Sequence, residues 1–133
     1  MKSAGILAVA ATLLIAATVG SVAGAAPVKV YYDAPFKPHV YKPKRIEFHE
    51  ATLSKLRWRH WNRKVAWGRG RARINTCDPF CAAGKIVHGR VHLKMYKRQD
   101  VNGTRMYGCM AGTARADGKK YPIEWPAACR SAG

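Results

Sequence analysis

Three arginines stand at alternate positions in segment 65–74, which reads VAWGRGRARI. Arg69, Arg71 and Arg73 are separated by small residues, and Trp67 stands two positions before the first of them. In an extended strand, alternate side chains point to the same side and lie about 6.6 Å apart. Guanidinium groups bind phosphate through two parallel hydrogen bonds. The segment therefore predicts a strand with one anion-binding side.

The composition extends this prediction to the whole chain. The 133 residues include 24 Lys and Arg against 7 Asp and Glu, which gives a formal charge of +17. So large a positive charge produces an electric field that attracts polyanions. The expected partners are therefore an anionic envelope polymer, an acidic lipid surface or nucleic acid, and no cofactor is expected. The alternative is a structural or interaction protein whose charges only keep its surface solvated. The predicted anion-binding residues are Trp67, Arg57, Arg59, Arg69, Arg71, Arg73, Arg90 and Lys94.

A zinc site is the first competing interpretation, because Cys77-x3-Cys81 precedes His88-x3-His92. The gap between the two pairs is shorter than in usual zinc fingers. On a strand, the two histidines would lie about 13 Å apart, too far to share one ion. A disulfide would also consume both thiolates. We therefore expect no metal site.

A secreted hydrolase such as a ribonuclease is the second competing interpretation. A ribonuclease needs a carboxylate base, a histidine acid and an arginine near the phosphate, but no known ribonuclease spacing occurs here. Neither Ser54 nor Ser131 lies in a Gly-x-Ser-x-Gly turn. We therefore expect a non-catalytic protein. The residues of the required types are Glu47, His49, Glu50, His88, His92 and Glu124.

Period-two hydrophobic patterns predict the elements that carry these side chains. Segments 65–74 and 86–96 alternate strictly, which is typical of strands. Glycine and alanine on one side of the first segment indicate close approach by another layer or by backbone. Segment 49–64 is interpreted as a strand ending near Trp58 and a turn around Asn62, with an amphipathic helix as the alternative. The predicted core consists of Ile46, Phe48, Leu56, Trp58, Ala66, Ile74, Val87, Val91, Leu93, Met95 and Met110.

Two short turns join the later strands. The Asn-Gly pair at 102–103 favours a type I′ turn, which would place Asp100 opposite Arg105. The Asp-Gly pair at 117–118 marks a second turn before a short strand, and Pro122 predicts that this strand lies at an edge. The fold class expected for residues 45–133 is a mainly antiparallel β domain, a small sandwich or open barrel. A chain of this length excludes a multi-domain enzyme.

Two N-terminal segments precede this domain. Residues 1–25 are predicted to be a secretory signal peptide, with Lys2, an apolar run over 6–19 and small residues before cleavage after Ala25. No later apolar stretch is long enough to span a bilayer, so secretion is expected. Residues 26–44 contain four prolines, which block a helix and interrupt a sheet. They predict a poorly ordered basic arm that serves as a spacer, and the alternative is an arm that binds an anionic polymer through its interleaved cations and rings.

Four cysteines in an exported chain indicate two disulfides, with three connectivities open. We predict Cys77–Cys81, because a turn containing proline brings these residues within bonding distance, and Cys109–Cys129. Each bond would stabilise so short a domain by about 2–4 kcal/mol.

The cysteines also belong to a longer pattern: Trp-x2-Trp at 58–61, Ala-x-Gly-x-Gly at 66–70 and Asn-x-Cys-x-Pro-x-Cys-Ala-x-Gly at 75–84. Over residues 46–114 the chain resembles small, uncharacterised secreted proteins of actinobacteria. The resemblance implies a compact, disulfide-containing, β-rich domain outside the cytoplasm and assigns no catalytic residue. The arginines of segment 65–74 depart from the family pattern.

Overall fold

A computed structural model describes residues 28–132, and the predicted signal peptide lies outside this range. The described chain forms one curled sheet, a half-barrel with its core inside. Short 3-10 turns cover Cys81–Ala83 and Ala127–Ala132. The strands are β1 Tyr31–Ala34, β2 Lys37–Val40, β3 Ile46–Glu47, β4 Ala51–Arg59, β5 Ala66–Asn75, β6 Ile86–Val101, β7 Thr104–Ala116 and β8 Lys119–Trp125.

The strand order is β2-β1-β7-β6-β5-β4-β3, and β8 also pairs with β7. Both β1 and β8 lie on the same edge of the long strand β7. β1 pairs with Met106 and Tyr107, whereas β8 pairs with the stretch from Met110 to Ala116. All strand pairs are antiparallel except the parallel pair β1–β7. The predicted mainly β fold is confirmed, in its open-barrel form.

Alternation sorts the side chains of β4, β5 and β6 between the core and solvent. In β5, Ala66, Gly68, Ala72 and Ile74 are buried, whereas the alternate residues Trp67, Arg69, Arg71 and Arg73 are exposed. Gly68 lies opposite Trp58, and a Cβ placed on this glycine would lie 2.6 Å from the indole ring. The Trp58 ring, on the neighbouring strand of the same sheet, takes the space that a larger side chain would need. A Cβ on Gly70 would lie 2.6 Å from the Ser54 carbonyl, so the predicted close approach is made by backbone and side chain of β4 and not by another layer.

The predicted core residues line the inside of the half-barrel. All of them are buried except Phe48 and Trp58, which are partly buried and pack against the core. β4 ends at Arg59, so the strand interpretation of this region is confirmed and the helix alternative is wrong. The core residues that sequence reasoning missed are Val30, Tyr32, Val40, Leu53, Trp61, Ala72, Tyr107, Ala114, Ala116 and Ile123.

The prediction of a poorly ordered spacer over 26–44 is wrong for its described part, which contains β1 and β2. Trp61 Nε1 donates a hydrogen bond to the Val30 carbonyl at 2.7 Å, and Val30 N donates to Asn62 Oδ1 at 2.8 Å. The Tyr32 hydroxyl donates to the Trp125 carbonyl at 3.2 Å, and burial raises the pKa of this tyrosine. These contacts fix the segment to the core.

Edge placement explains why the prolines do not prevent these strands. Pro38 lies in β2, which forms one edge of the sheet, and Pro35 lies in the turn between β1 and β2. A proline lacks the N–H donor, and an edge strand leaves one side of its backbone unpaired. The local proline rule therefore holds for central strands and does not exclude an edge hairpin.

Both predicted turns are present. Asn102 and Gly103 have φ values of 50° and 81°, as a type I′ turn requires, and Arg105 Nε lies 2.6 Å from Asp100 Oδ1. At 117–118 both φ values are also positive. Pro122 lies in β8, which pairs only with β7 in the described chain.

Two disulfides, Cys77–Cys81 and Cys109–Cys129, confirm the predicted connectivity. Cys109 and Cys129 are buried, so the second bond holds the C-terminal 3-10 turn against β7. Within residues 28–132 we find no helix with the length and apolar character needed to span a membrane.

Candidate anion-binding face

The outer side of the sheet collects every residue predicted to bind anions. Directly opposed residues of antiparallel strands point to the same side. Arg57 lies opposite Arg69, and Trp67 lies opposite both Arg59 and Lys94. We define the basic face as nine cations on the outer side of β4–β8, namely Arg57, Arg59, Arg69, Arg71, Arg73, Arg90, Lys94, Arg115 and Lys120.

Four of these cations form a row across neighbouring strands. Arg71 lies opposite Arg90, Arg90 opposite Arg115, and Arg115 opposite Lys120. Neighbouring strands are about 4.8 Å apart, and like charges placed directly opposite each other destabilise a sheet. The row therefore combines three unfavourable cross-strand pairs in one line.

Sequence reasoning missed Arg115 and Lys120, although one signal was available. The Asp-Gly turn at 117–118 was predicted, and a two-residue loop there places position 115 opposite position 120. The pairing of Arg115 with Lys120 could therefore have been predicted by counting outward from the turn.

The cations of the basic face have no carboxylate ion-pair partners in the part of the chain that the structure describes. The four ion pairs found among residues 28–132 join other residues. The described strands β4–β7 contain one acidic residue, Asp100, which lies near the end of β6 and pairs with Arg105 beside the turn at 102–103. Glu47 and Glu124 lie at the two margins of the surface, on β3 and β8. The centre of the face is therefore positively charged without local compensation.

A cleft of about 520 Å³ opens on the basic face. A second depression of about 370 Å³ shares Trp67, His92 and Leu93 with it and is otherwise lined by Lys94 and the stretch 111–113. Neither lining contains a carboxylate, so both concavities favour anionic groups. The cleft is lined by Arg57, Arg59, His60, Trp67, Gly68, Arg69, His92 and Leu93.

The structure separates most of the residues considered for a ribonuclease. Of the six, only His92 lines the cleft. His88 lies opposite Arg73, and the Glu47 carboxylate accepts a hydrogen bond from Arg45. His60, which sequence reasoning missed, joins His92 in the cleft because the chain turns directly after β4.

The remaining candidates lie apart from the cleft. The His49 ring packs edge-on against Phe36, with their centroids 4.9 Å apart. Glu124 lies on β8, opposite Ala111 of β7. Cys77 and Cys81 are joined in a disulfide, so neither offers a thiolate to a metal.

Comparison with known proteins identifies no relative. No family model, curated protein or solved structure matches the chain. The resemblance to secreted actinobacterial proteins accordingly stays a prediction from the sequence pattern.

Proposed function

We propose that the protein is an exported, non-catalytic binder of phosphate-bearing anionic polymers, and that the basic face is its binding surface. The observation that carries this proposal is the row of Arg71, Arg90, Arg115 and Lys120, which lie side by side with no ion-pair partner in the described chain. Such a row costs stability in the free protein. Bound anions would remove this repulsion.

The spacing of the cations suits a polymer better than a single ion. Along β5, the arginines at 69, 71 and 73 repeat about every 6.6 Å, and across the sheet the row repeats about every 4.8 Å. A chain with regularly spaced phosphates lying across this lattice meets several guanidinium groups in succession. Each contact adds electrostatic free energy and releases counterions from the polymer.

The proposed compartment rests on the two disulfides. Disulfides form and persist in oxidising environments outside the cytoplasm, and both pairs are closed here. Polyanions found there include envelope polymers, acidic lipid surfaces and released nucleic acid.

The proposal predicts strongly salt-dependent binding to inorganic polyphosphate. If the row engages four phosphates, the logarithm of the association constant should fall with the logarithm of salt concentration with a slope of about −3, taking about 0.7 per phosphate. Titration calorimetry over a series of salt concentrations measures this slope. Neutral dextran is the control and should not bind. A slope shallower than about −1 would contradict a multi-phosphate site and leave a surface whose charges only keep it solvated.

A further inference from the structure

Trp67 is the exceptional tryptophan of this structure. Trp58 and Trp61 contact each other with ring centroids 4.8 Å apart, and Trp125 packs edge-on against Phe48. Trp67 is 53% exposed, and among residues 28–132 it has no ring contact and no indole hydrogen bond. A large ring is thus presented to solvent from a central strand.

The position of this ring within the basic face is specific. Trp67 lies opposite Arg59 on one side and Lys94 on the other, and it lines both the cleft and the adjoining depression. The depression has Gly112 and its small neighbours along one side. A planar group can therefore reach the indole while the groups next to it meet cations.

We infer that the basic face binds single-stranded nucleic acid, with a base stacked on Trp67 and the flanking phosphates held by the neighbouring arginines. This inference rests on the proposed function and names its ligand. Surfaces that bind single strands combine a cationic track with exposed aromatic rings. A polymer without planar rings would leave the Trp67 ring unused.

The shape of the sheet favours a single strand over a duplex. The core fills the inside of the half-barrel, so the basic face is the convex outer side. Duplex DNA is stiff over about 150 base pairs and keeps its bases stacked inside. A single strand can follow the curved surface and has exposed bases.

The test compares two ligands of equal charge by fluorescence anisotropy at fixed salt. One is a labelled oligothymidylate, and the other is an abasic deoxyribose-phosphate oligomer of the same length. We expect the base-bearing oligomer to bind at least about fivefold more tightly. Trp67→Ala should abolish this preference and leave the affinity for the abasic oligomer unchanged.

Two further variants serve as controls for the Trp67→Ala result. Trp67→Phe retains a ring and should keep most of the preference, which separates stacking from a folding defect. Phe36→Ala removes a ring that is 57% exposed but lies outside the basic face, and it should change neither affinity.

The contrary outcomes are distinguishable. Equal affinity of the unaltered protein for both oligomers would overturn the nucleic-acid inference and leave the proposed anion binding standing. Failure to bind either oligomer would overturn the proposed function itself. An equal loss of affinity for a heparin oligosaccharide in Trp67→Ala would show that the ring recognises sugars, and would also overturn the inference.

Discussion

Replacing Arg71, Arg90 and Arg115 together by glutamine should weaken binding to polyphosphate on the order of a hundredfold at low salt, and the loss should shrink as salt rises. Each arginine contributes about 0.7 to the salt slope, so the slope should become shallower by about 2. The three residues occupy consecutive strands of one row, so their removal interrupts the lattice at its centre.

The same variant should be at least as stable as the unaltered protein. The substitutions remove the charge repulsion from all three cross-strand pairs of the row, because each pair contains at least one of the replaced arginines. Each such repulsive pair costs about 0.2–1 kcal/mol. Thermal unfolding measures this effect. A higher or unchanged melting temperature together with lost binding is the signature of residues kept for ligand binding.

The matched control changes three lysines outside the basic face, Lys37, Lys44 and Lys64, to glutamine. All three are exposed, and the net charge falls by the same amount. This control should lose only a few-fold in affinity through the weaker overall field. Equal losses in the two variants would mean that the protein attracts polyanions by total charge alone.

Gly89→Ala should destabilise the domain by about 3 kcal/mol, because it overpacks a closed strand pair. A Cβ on Gly89 would overlap the carbonyl of Arg115 on β7, and a backbone atom cannot move aside as a flexible side chain can. The strands β6 and β7 would have to separate at the point where Arg90 and Arg115 lie opposite each other. Urea unfolding followed by tryptophan fluorescence measures the loss.

Gly108→Ala is the comparison, since it makes the same change on β7 within the same strand pair. Its nearest neighbours would be the Gln99 side-chain nitrogen and the Lys97 carbonyl, both 3.1 Å away. At this distance each neighbour, the Lys97 carbonyl included, needs to shift by only a few tenths of an ångström, so we expect a loss below about 1 kcal/mol. If Gly89→Ala cost no more than this control, the close approach of β6 and β7 would be contradicted.

Local patterns predicted the strands and their outward sides. Strict alternation in 65–74 separates arginines from small residues, and this separation holds because one side of the curled sheet must be buried. The turn at 102–103 depends only on two residues that adopt positive φ readily. For these elements, local chemistry and the final fold agree.

Long-range pairing could not be predicted in the same way. The loop from 76 to 85 is too long for its residues to set a register, so the pairing of Arg71 with Arg90 emerges only from the structure. The N-terminal strands were missed because their stability comes from hydrogen bonds between Val30 and the distant residues Trp61 and Asn62. Proline content alone carries no information about such contacts.

The most direct measurement of the binding surface is an NMR titration of the ¹⁵N-labelled protein with inorganic polyphosphate, following the arginine Nε–H signals. The account predicts that the signals of Arg71, Arg90 and Arg115 shift together and saturate, while those of Arg63 and Arg98, which lie outside the basic face, move little. Equal shifts of all arginines, or the largest shifts at Arg63 and Arg98, would contradict it.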